Sequence, residues 1–192
     1  MRLRNYITTL FVAFAAVAAA AQTQVVAHRG YWRAPGSAQN SIASLCKADS
    51  INCYGSELDV WLSTDGVLFV NHDAVFKGHN VEQSSSAELS AIILDNGEHM
   101  PTLDEYLAKA KTLKTRIVLE LKAHQTKEKE AEAVAKIVEM VEKYGLTDRT
   151  EYISFSLFAC KEFKRVAPQG TDIYYLNGEL SPAELKTRLC RV

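Results

Sequence analysis

Apolar positions along this chain fall into two rhythms. Short apolar or alternating runs bounded by Gly, Asn, Asp and charge read as strands, and longer segments with apolar positions three and four apart read as helices. Val25–Ala27 predicts a first strand that runs into His28-Arg29-Gly30. Asn40 or Ser41 can cap a helix over about 41–51, with Ile42, Leu45 and Cys46 on one face. Tyr54–Val60 predicts a second strand, leading through Trp61–Thr64 into a turn, and Val67–Asn71 returns as a third. Between them, Asp65-Gly66 is a two-residue hairpin signal, because both residue types tolerate positive φ. That register puts Thr64 opposite Val67, Ser63 opposite Leu68 and Asp59 opposite His72. Opposed Cβ atoms lie roughly 4.5–5.5 Å apart, and the period of two places Glu57 on the face of Asp59.

The segment 74–100 is polar and irregular, with Gly78, Ser84-Ser85-Ser86 and Asn96-Gly97. Ser85 and Glu88 form a capping box for a short helix ending near Leu94, and the segment as a whole suits a lid or specificity loop. His79 and His99 read as surface residues. Thr102 and Glu105 form a second capping box, opening a helix to about Lys114 with Leu103, Tyr106, Leu107 and Ala110 inward. Ile117–Leu119 builds a strand ending in Glu120-Leu121-Lys122. The helix over 127–143 is amphipathic, with Val134, Ile137, Val138 and Val141 inward and Gly145 as its C-cap. Glu151–Phe155 is a fifth strand, followed by a helix with Leu157, Cys160, Phe163 and Val166 inward. Asp172–Leu176 is a sixth, and Ser181-Pro182-Ala183-Glu184 opens a last helix. Strands alternating with helices in this way argue for an α/β fold with parallel strands.

Composition narrows the picture. The 192 residues are 47% hydrophobic and 23% charged, which fits one globular domain. A formal net charge of −1 gives no support for a general nucleic-acid or anionic-membrane binder. Residues 1–21 read as a signal peptide, with Arg2 and Arg4 before an uncharged Ile7–Ala21 run and Ala19-x-Ala21 as a cleavage site. The protein is therefore expected to be exported, periplasmic or secreted, with the mature domain over 22–192. Export permits disulfides among Cys46, Cys53, Cys160 and Cys190. The first two are close enough in sequence to pair, but buried free thiols are the default reading.

His28, Glu57, Asp59, His72, Glu120 and Lys122 all sit where strands end. In a barrel of parallel strands that C-terminal face carries the active site. Taken singly, each is a polar strand end or a surface ion pair. Together, carboxylates beside imidazoles suit a divalent metal held by oxygens next to a general acid/base.

The order His28-Arg29-Gly30, Asn40-Ser41, Glu57-x-Asp59, Thr64-x-Gly66, His72-Asp73, Pro101-Thr102-Leu103-x-Glu105 and Glu120-x-Lys122 resembles the glycerophosphodiester phosphodiesterases, over about residues 25–156 and more loosely to the end. The resemblance implies a (β/α)8 TIM-type barrel and a metal-dependent phosphodiesterase acting on small glycerophosphodiesters. It makes Glu57, Asp59 and Glu120 the metal ligands, for Ca²⁺ or Mg²⁺. It makes His28 and His72 the acid/base pair, and Arg29 and Lys122 the phosphate contacts. Two departures stand out. Gln39 replaces the glutamate that usually precedes Asn-Ser, and about six strands are present where the family barrel has eight. Other readings are a phosphodiesterase of the same architecture acting on another head group, or an inactive phosphate-binding fragment.

Overall fold

The computed structural model describes residues 23–177 together with 181, 183 and 184. The predicted signal segment, most of the last helix and Cys190 lie outside the described residues. Within them the strands are β1 (Val26–Ala27), β2 (Gly55–Leu62), β3 (Leu68–Val70), β4 (Val75–Phe76), β5 (His79–Asn80), β6 (Arg116–Leu121), β7 (Thr150–Ser154) and β8 (Ile173–Tyr175). The helices are α1 (Ile42–Ser50), α2 (Ser86–Ser90), α3 (Leu103–Ala110), α4 (Lys127–Lys143) and α5 (Leu157–Val166).

The six strands expected from the sequence form one sheet in the order β1-β2-β6-β7-β8, all parallel, with β3 antiparallel on β2. β2 is buried along its whole length. Its alternation separates packing from chemistry. Leu58, Val60 and Leu62 join Ile117, Leu119 and Leu121 of β6 in the main core, against Leu107, Val134, Ile137 and Phe163 of the helices. Glu57, Asp59 and Glu120 occupy the opposite set of positions, as the period of two requires.

Local signals define the helices. Ser41 caps α1 by accepting from Ser44 N. Both predicted capping boxes form, Ser85 with Glu88 and Thr102 with Glu105. α4 spans the predicted 127–143, ahead of Gly145 at φ 67°. The helices after the capping boxes are shorter than expected, ending at Ser90 and Ala110. Ser181 and Glu184 make the predicted capping pair.

The hairpin register differs from the sequence expectation by one residue. Leu62 pairs with Leu68 and Val60 with Val70. Ser63 N donates to Val67 O at 2.9 Å and Gly66 N to Ser63 O at 3.2 Å, so the loop holds three residues, Thr64, Asp65 and Gly66. Gly66 takes φ 77° as the left-handed residue of a three-residue loop. The Ser63 hydroxyl selects this closure, accepting from Val67 N and donating to Asp65. Asp59 therefore faces Asn71, whose N–H donates to Asp59 O at 3.0 Å, and not His72.

The segment 74–100 is more ordered than its composition suggests. It holds the β4–β5 hairpin, a 3-10 turn over Val81–Gln83, α2 and an isolated Ile93–His99 bridge. Val81, Leu89, Ile92, Leu94 and Met100 pack with Trp61 and Phe69 in a second core. Asp65 ties the main hairpin to it, accepting from Ser86 N and from the Ser86 and Ser63 hydroxyls. Cys46, Cys53 and Cys160 are free thiols, so no Cys46–Cys53 bridge forms.

Two outcomes follow. Gly30 has φ +72°, and a Cβ there would sit 2.3 Å from Ser44 Oγ. Gly30→Ala should cost about 2–5 kcal/mol by urea unfolding, from left-handed strain plus overpacking. The hydrogen bonds from Ser86 and Ser63 hold Asp65 down at about 2. This pKa lies below the unfolded value of roughly 3.9, so the carboxylate stabilises the fold above pH ~4, and that contribution is lost as pH falls toward 2. Asp65→Asn should lower the melting temperature at pH 7, and the gap to the parent should shrink steadily from pH 4 to pH 2.

Candidate active site

The site lies at the C-terminal ends of β1, β2 and β6. Asp59 and Glu120 are register partners on adjacent parallel strands, and Glu57 lies two residues before Asp59 on the same face. One carboxylate oxygen from each of Glu57, Asp59 and Glu120 lies within 4.8 Å of the others, and all three residues are buried.

The loop after β1 closes over this cluster. Gly30 N donates to both Ala27 O and Glu57 O, which turns the chain sharply. Arg29 and Asn40 both take φ 59°, an uncommon conformation for residues with a Cβ. They are joined by Asn40 N to Arg29 O at 3.1 Å. In return, Arg29 N donates to Glu57 Oε2 at 2.7 Å. Asn40 Nδ2 donates to Asp59 Oδ2 at 2.9 Å, and Asn40 Oδ1 accepts from Asp59 N at 3.3 Å. The Arg29 guanidinium lies with Nε 4.0 Å from Asp59 Oδ2, and its Nη1 donates to Gln39 Oε1 at 2.5 Å. Lys122 Nζ bridges Glu120 Oε1 at 2.8 Å and Asp59 Oδ1 at 3.2 Å.

Burial dominates the electrostatics. It pushes Glu57 up to about 8, reinforced by the neighbouring Asp59 charge. Glu120 is raised by the same desolvation. Burial opposes the Lys122 ammonium, but its contacts with Glu120 and Asp59 prevail and lift its pKa above the ordinary value. His28, with a side chain 67% exposed and Nε2 3.9 Å from Glu57 Oε2, is pushed down by partial burial and by the Arg29 charge.

The structure thus gathers His28, Arg29, Glu57, Asp59, Glu120 and Lys122 as the sequence suggested. His72 arrives by a different route, from the bend after β3. Its Nδ1 lies 2.7 Å from Asp73 Oδ1, and its backbone carbonyl accepts from Trp61 Nε1 at 3.4 Å. It is close enough to act electrostatically on both His28 and Glu120. A cleft of about 570 Å³ opens beside it, bordered by Trp32, Arg33, Asn40, Asp73 and Phe76. His79 and His99 stay out of the site, with His99 paired to Glu105.

Sequence reasoning did not single out Asn40 as a site residue, although it stood in the Asn40-Ser41 motif. Its grip on Asp59 depends on a left-handed backbone that no periodicity reveals. His124 was also missed. Both of its ring nitrogens are engaged by main chain, with Nε2 accepting from Leu62 N at 2.9 Å and Nδ1 lying 2.7 Å from Lys122 O.

The donor set is chemically coherent. Three buried carboxylates offer only oxygen, which suits hard divalent cations. Glu57 Oε1 is buried and has no hydrogen-bond partner, which suits a ligand atom. Two cationic side chains and two imidazoles stand around them, a grouping able to bind an anion and move protons.

Known proteins carry the same arrangement of chain. The sequence profile of the Glycerophosphoryl diester phosphodiesterase family matches residues 28–184. A glycerophosphodiester phosphodiesterase of Caldanaerobacter subterraneus subsp. tengcongensis is 25% identical over 181 residues, 88% of this chain and 73% of that protein. The crystal structure of a glycerophosphodiester phosphodiesterase from Parabacteroides distasonis is 50% identical, with a TM-score of 0.82 over 85% of this chain and 69% of that one. An Oleispira antarctica phosphodiesterase, solved in complex with the product sn-glycerol-3-phosphate, is 29% identical with a TM-score of 0.73, over 87% of this chain and 70% of that one. By profile, sequence and fold, this chain is an α/β barrel-type enzyme of the glycerophosphoryl diester phosphodiesterase family.

Proposed function

We propose that this protein hydrolyses glycerophosphodiesters to glycerol 3-phosphate and an alcohol at a divalent cation held by Glu57, Asp59 and Glu120. The observation that carries the reading is the buried carboxylate cluster with the partnerless Glu57 Oε1. Desolvation, reinforced by repulsion from Asp59, raises Glu57 above the ordinary carboxylate range, a cost that added positive charge at the cluster would relieve. The all-oxygen set fits Ca²⁺ or Mg²⁺. When bound, such a cation supplies charge neutralisation and Lewis-acid polarisation of a phosphoryl oxygen.

The chain's own residues supply the rest. A phosphodiester carries one negative charge, which repels an incoming nucleophile. Arg29 and Lys122 offset that charge with donors directed by their carboxylate and amide partners, and they stabilise the additional charge of the transition state. One histidine takes the proton of the attacking hydroxyl, which belongs to water or to the glycerol hydroxyl next to the phosphate. A P–O bond forms to that oxygen, the P–O bond to the alcohol breaks, and the second histidine protonates the leaving oxygen; where the glycerol hydroxyl attacks, the product is a cyclic phosphate, which water then opens to glycerol 3-phosphate with the histidine roles reversed. His28, 3.9 Å from Glu57, and His72, beside Asp73, are the two imidazoles that share these roles. Asp73 holds the His72 ring through Nδ1, so Nε2 is the atom left to exchange a proton. The cleft beside His72 has room for the remainder of the diester.

Residues 1–21 support an exported enzyme, periplasmic or secreted. Among the described residues no helix is long and apolar enough to cross a membrane.

Hydrolysis of glycerophosphocholine, followed as glycerol 3-phosphate release with Ca²⁺, Mg²⁺ or EDTA, tests the reading. Turnover should require the cation and vanish in EDTA, and cation-independent turnover would defeat the proposal. His72→Ala should lower kcat by roughly 10²–10⁴-fold with an unchanged melting temperature. Turnover retained within a few-fold would remove His72 from the acid/base pair. Glu57→Gln should raise the cation concentration for half-maximal activity by at least about tenfold, and an unchanged titration would take Glu57 out of the ligand set.

A further inference from the structure

We propose that His124 is a positioning residue for the hydrolysis proposed above, standing as a side-chain rung between β2 and β6 that sets the Lys122 main chain and braces Trp61 under His72. The last direct hydrogen bond between these strands runs from Lys122 N to Val60 O at 3.1 Å. In a parallel ladder of this register, the next would run from Leu62 N to Lys122 O. His124 fills that place. Leu62 N donates to Nε2 at 2.9 Å, and Nδ1 lies 2.7 Å from Lys122 O.

The two contacts determine the proton's place on the ring. A backbone N–H only donates and a carbonyl only accepts, so Nε2 must be the bare nitrogen and Nδ1 must carry the hydrogen. The ring is thereby neutral, and its burial, which lowers the pKa, acts in the same direction. The strands diverge by the width of an imidazole just past Asp59, Glu120 and Lys122. Lys122 thus leaves β6 with its peptide fixed from both sides, by Val60 O through its N–H and by His124 through its carbonyl. Its ammonium is the group that bridges Asp59 and Glu120.

The same ring reaches the other wall of the site. It packs against Trp61 with centroids 5.3 Å apart, and Trp61 Nε1 donates to the His72 carbonyl. His124 is itself held from behind, because its backbone N–H donates to Glu130 Oε1 at 3.1 Å, and Glu130 Oε2 accepts from the Ser156 hydroxyl at 2.6 Å. One imidazole therefore couples the cation that meets the phosphate to the main chain of an acid/base histidine.

Two side-chain replacements and one spectrum test this in the full chain. His124→Phe keeps the ring against Trp61 but cannot bridge Leu62 N and Lys122 O. It should lower kcat for glycerophosphocholine by about 10–100-fold while KM stays within about threefold, since positioning acts on the transition state. His124→Gln offers an acceptor and a donor on one group, and should restore kcat to within about fivefold of the parent. An unchanged kcat in folded His124→Phe, or a Gln variant as impaired as Phe at equal melting temperature, would overturn the proposal. Should the Phe variant not fold, the Gln variant and the spectrum still decide. Histidine ¹⁵N–¹H correlation spectra of the parent should show His124 protonated at Nδ1 only, and protonation at Nε2 would overturn the bridge without any assay. Absence of turnover in the parent on every glycerophosphodiester would overturn the hydrolase reading, while the spectrum would still report on the rung.

Discussion

Three carboxylates within 4.8 Å of one another in a buried site repel, and each loses its hydration. Much of the surrounding structure can be understood as the arrangement that tolerates this. The parallel register of β2 and β6 puts Asp59 and Glu120 side by side, at the strand spacing of about 4.8 Å. Lys122 is returned to the same face two residues later and lies between them. The loop after β1 is bent through two left-handed non-glycine residues so that Arg29 N meets Glu57 and the Asn40 amide meets Asp59. Each left-handed non-glycine residue costs on the order of 1–2 kcal/mol. That cost persists because the hydrogen bonds of Arg29 and Asn40 to the buried carboxylates are charge-assisted. Gly30 is the hinge of the bend, and its lack of a Cβ lets the loop lie directly on Ser44 of α1.

How much of this could be read from residues alone depends on the range of the cause. α4 was legible because a 3.6-residue rhythm and a solvated charged face are properties of the segment itself. Both capping boxes were legible for the same reason. The acidic and basic residues at strand ends were legible because alternation fixes their face once the strand is recognised. The hairpin was half-legible. Asp65-Gly66 marked the turn, but the hydroxyl of Ser63 decided between a two-residue and a three-residue loop, and that one-residue difference exchanged His72 for Asn71 opposite Asp59. His72 still reaches the site, because the chain bends after Val70 and its carbonyl is held by Trp61.

Apart from its Ser85–Glu88 capping box, the segment 74–100 was illegible for a different reason. Its pieces are two to five residues long, too short for either period to register, and its order comes from burying Val81, Leu89, Ile92, Leu94 and Met100 against Trp61 and Phe69. Its glutamate at position 98 reaches back to the amides of Ile42 and Ala43 at the start of α1, a contact between distant parts of the chain. Asn40 and His124 were hidden similarly, since each acts through a backbone geometry set by tertiary structure.

The amide at position 39 changes the character of Arg29. A carboxylate there would orient the guanidinium and cancel its charge in the same stroke. Gln39 orients it through a carbonyl dipole, with Nη1 donating to Oε1, so the guanidinium is offset from one side only, by Asp59 at 4.0 Å. An amide in place of a carboxylate at this position thereby leaves the guanidinium's charge to be shared with the acidic cluster alone, and lowers by one the negative charges the site has to tolerate.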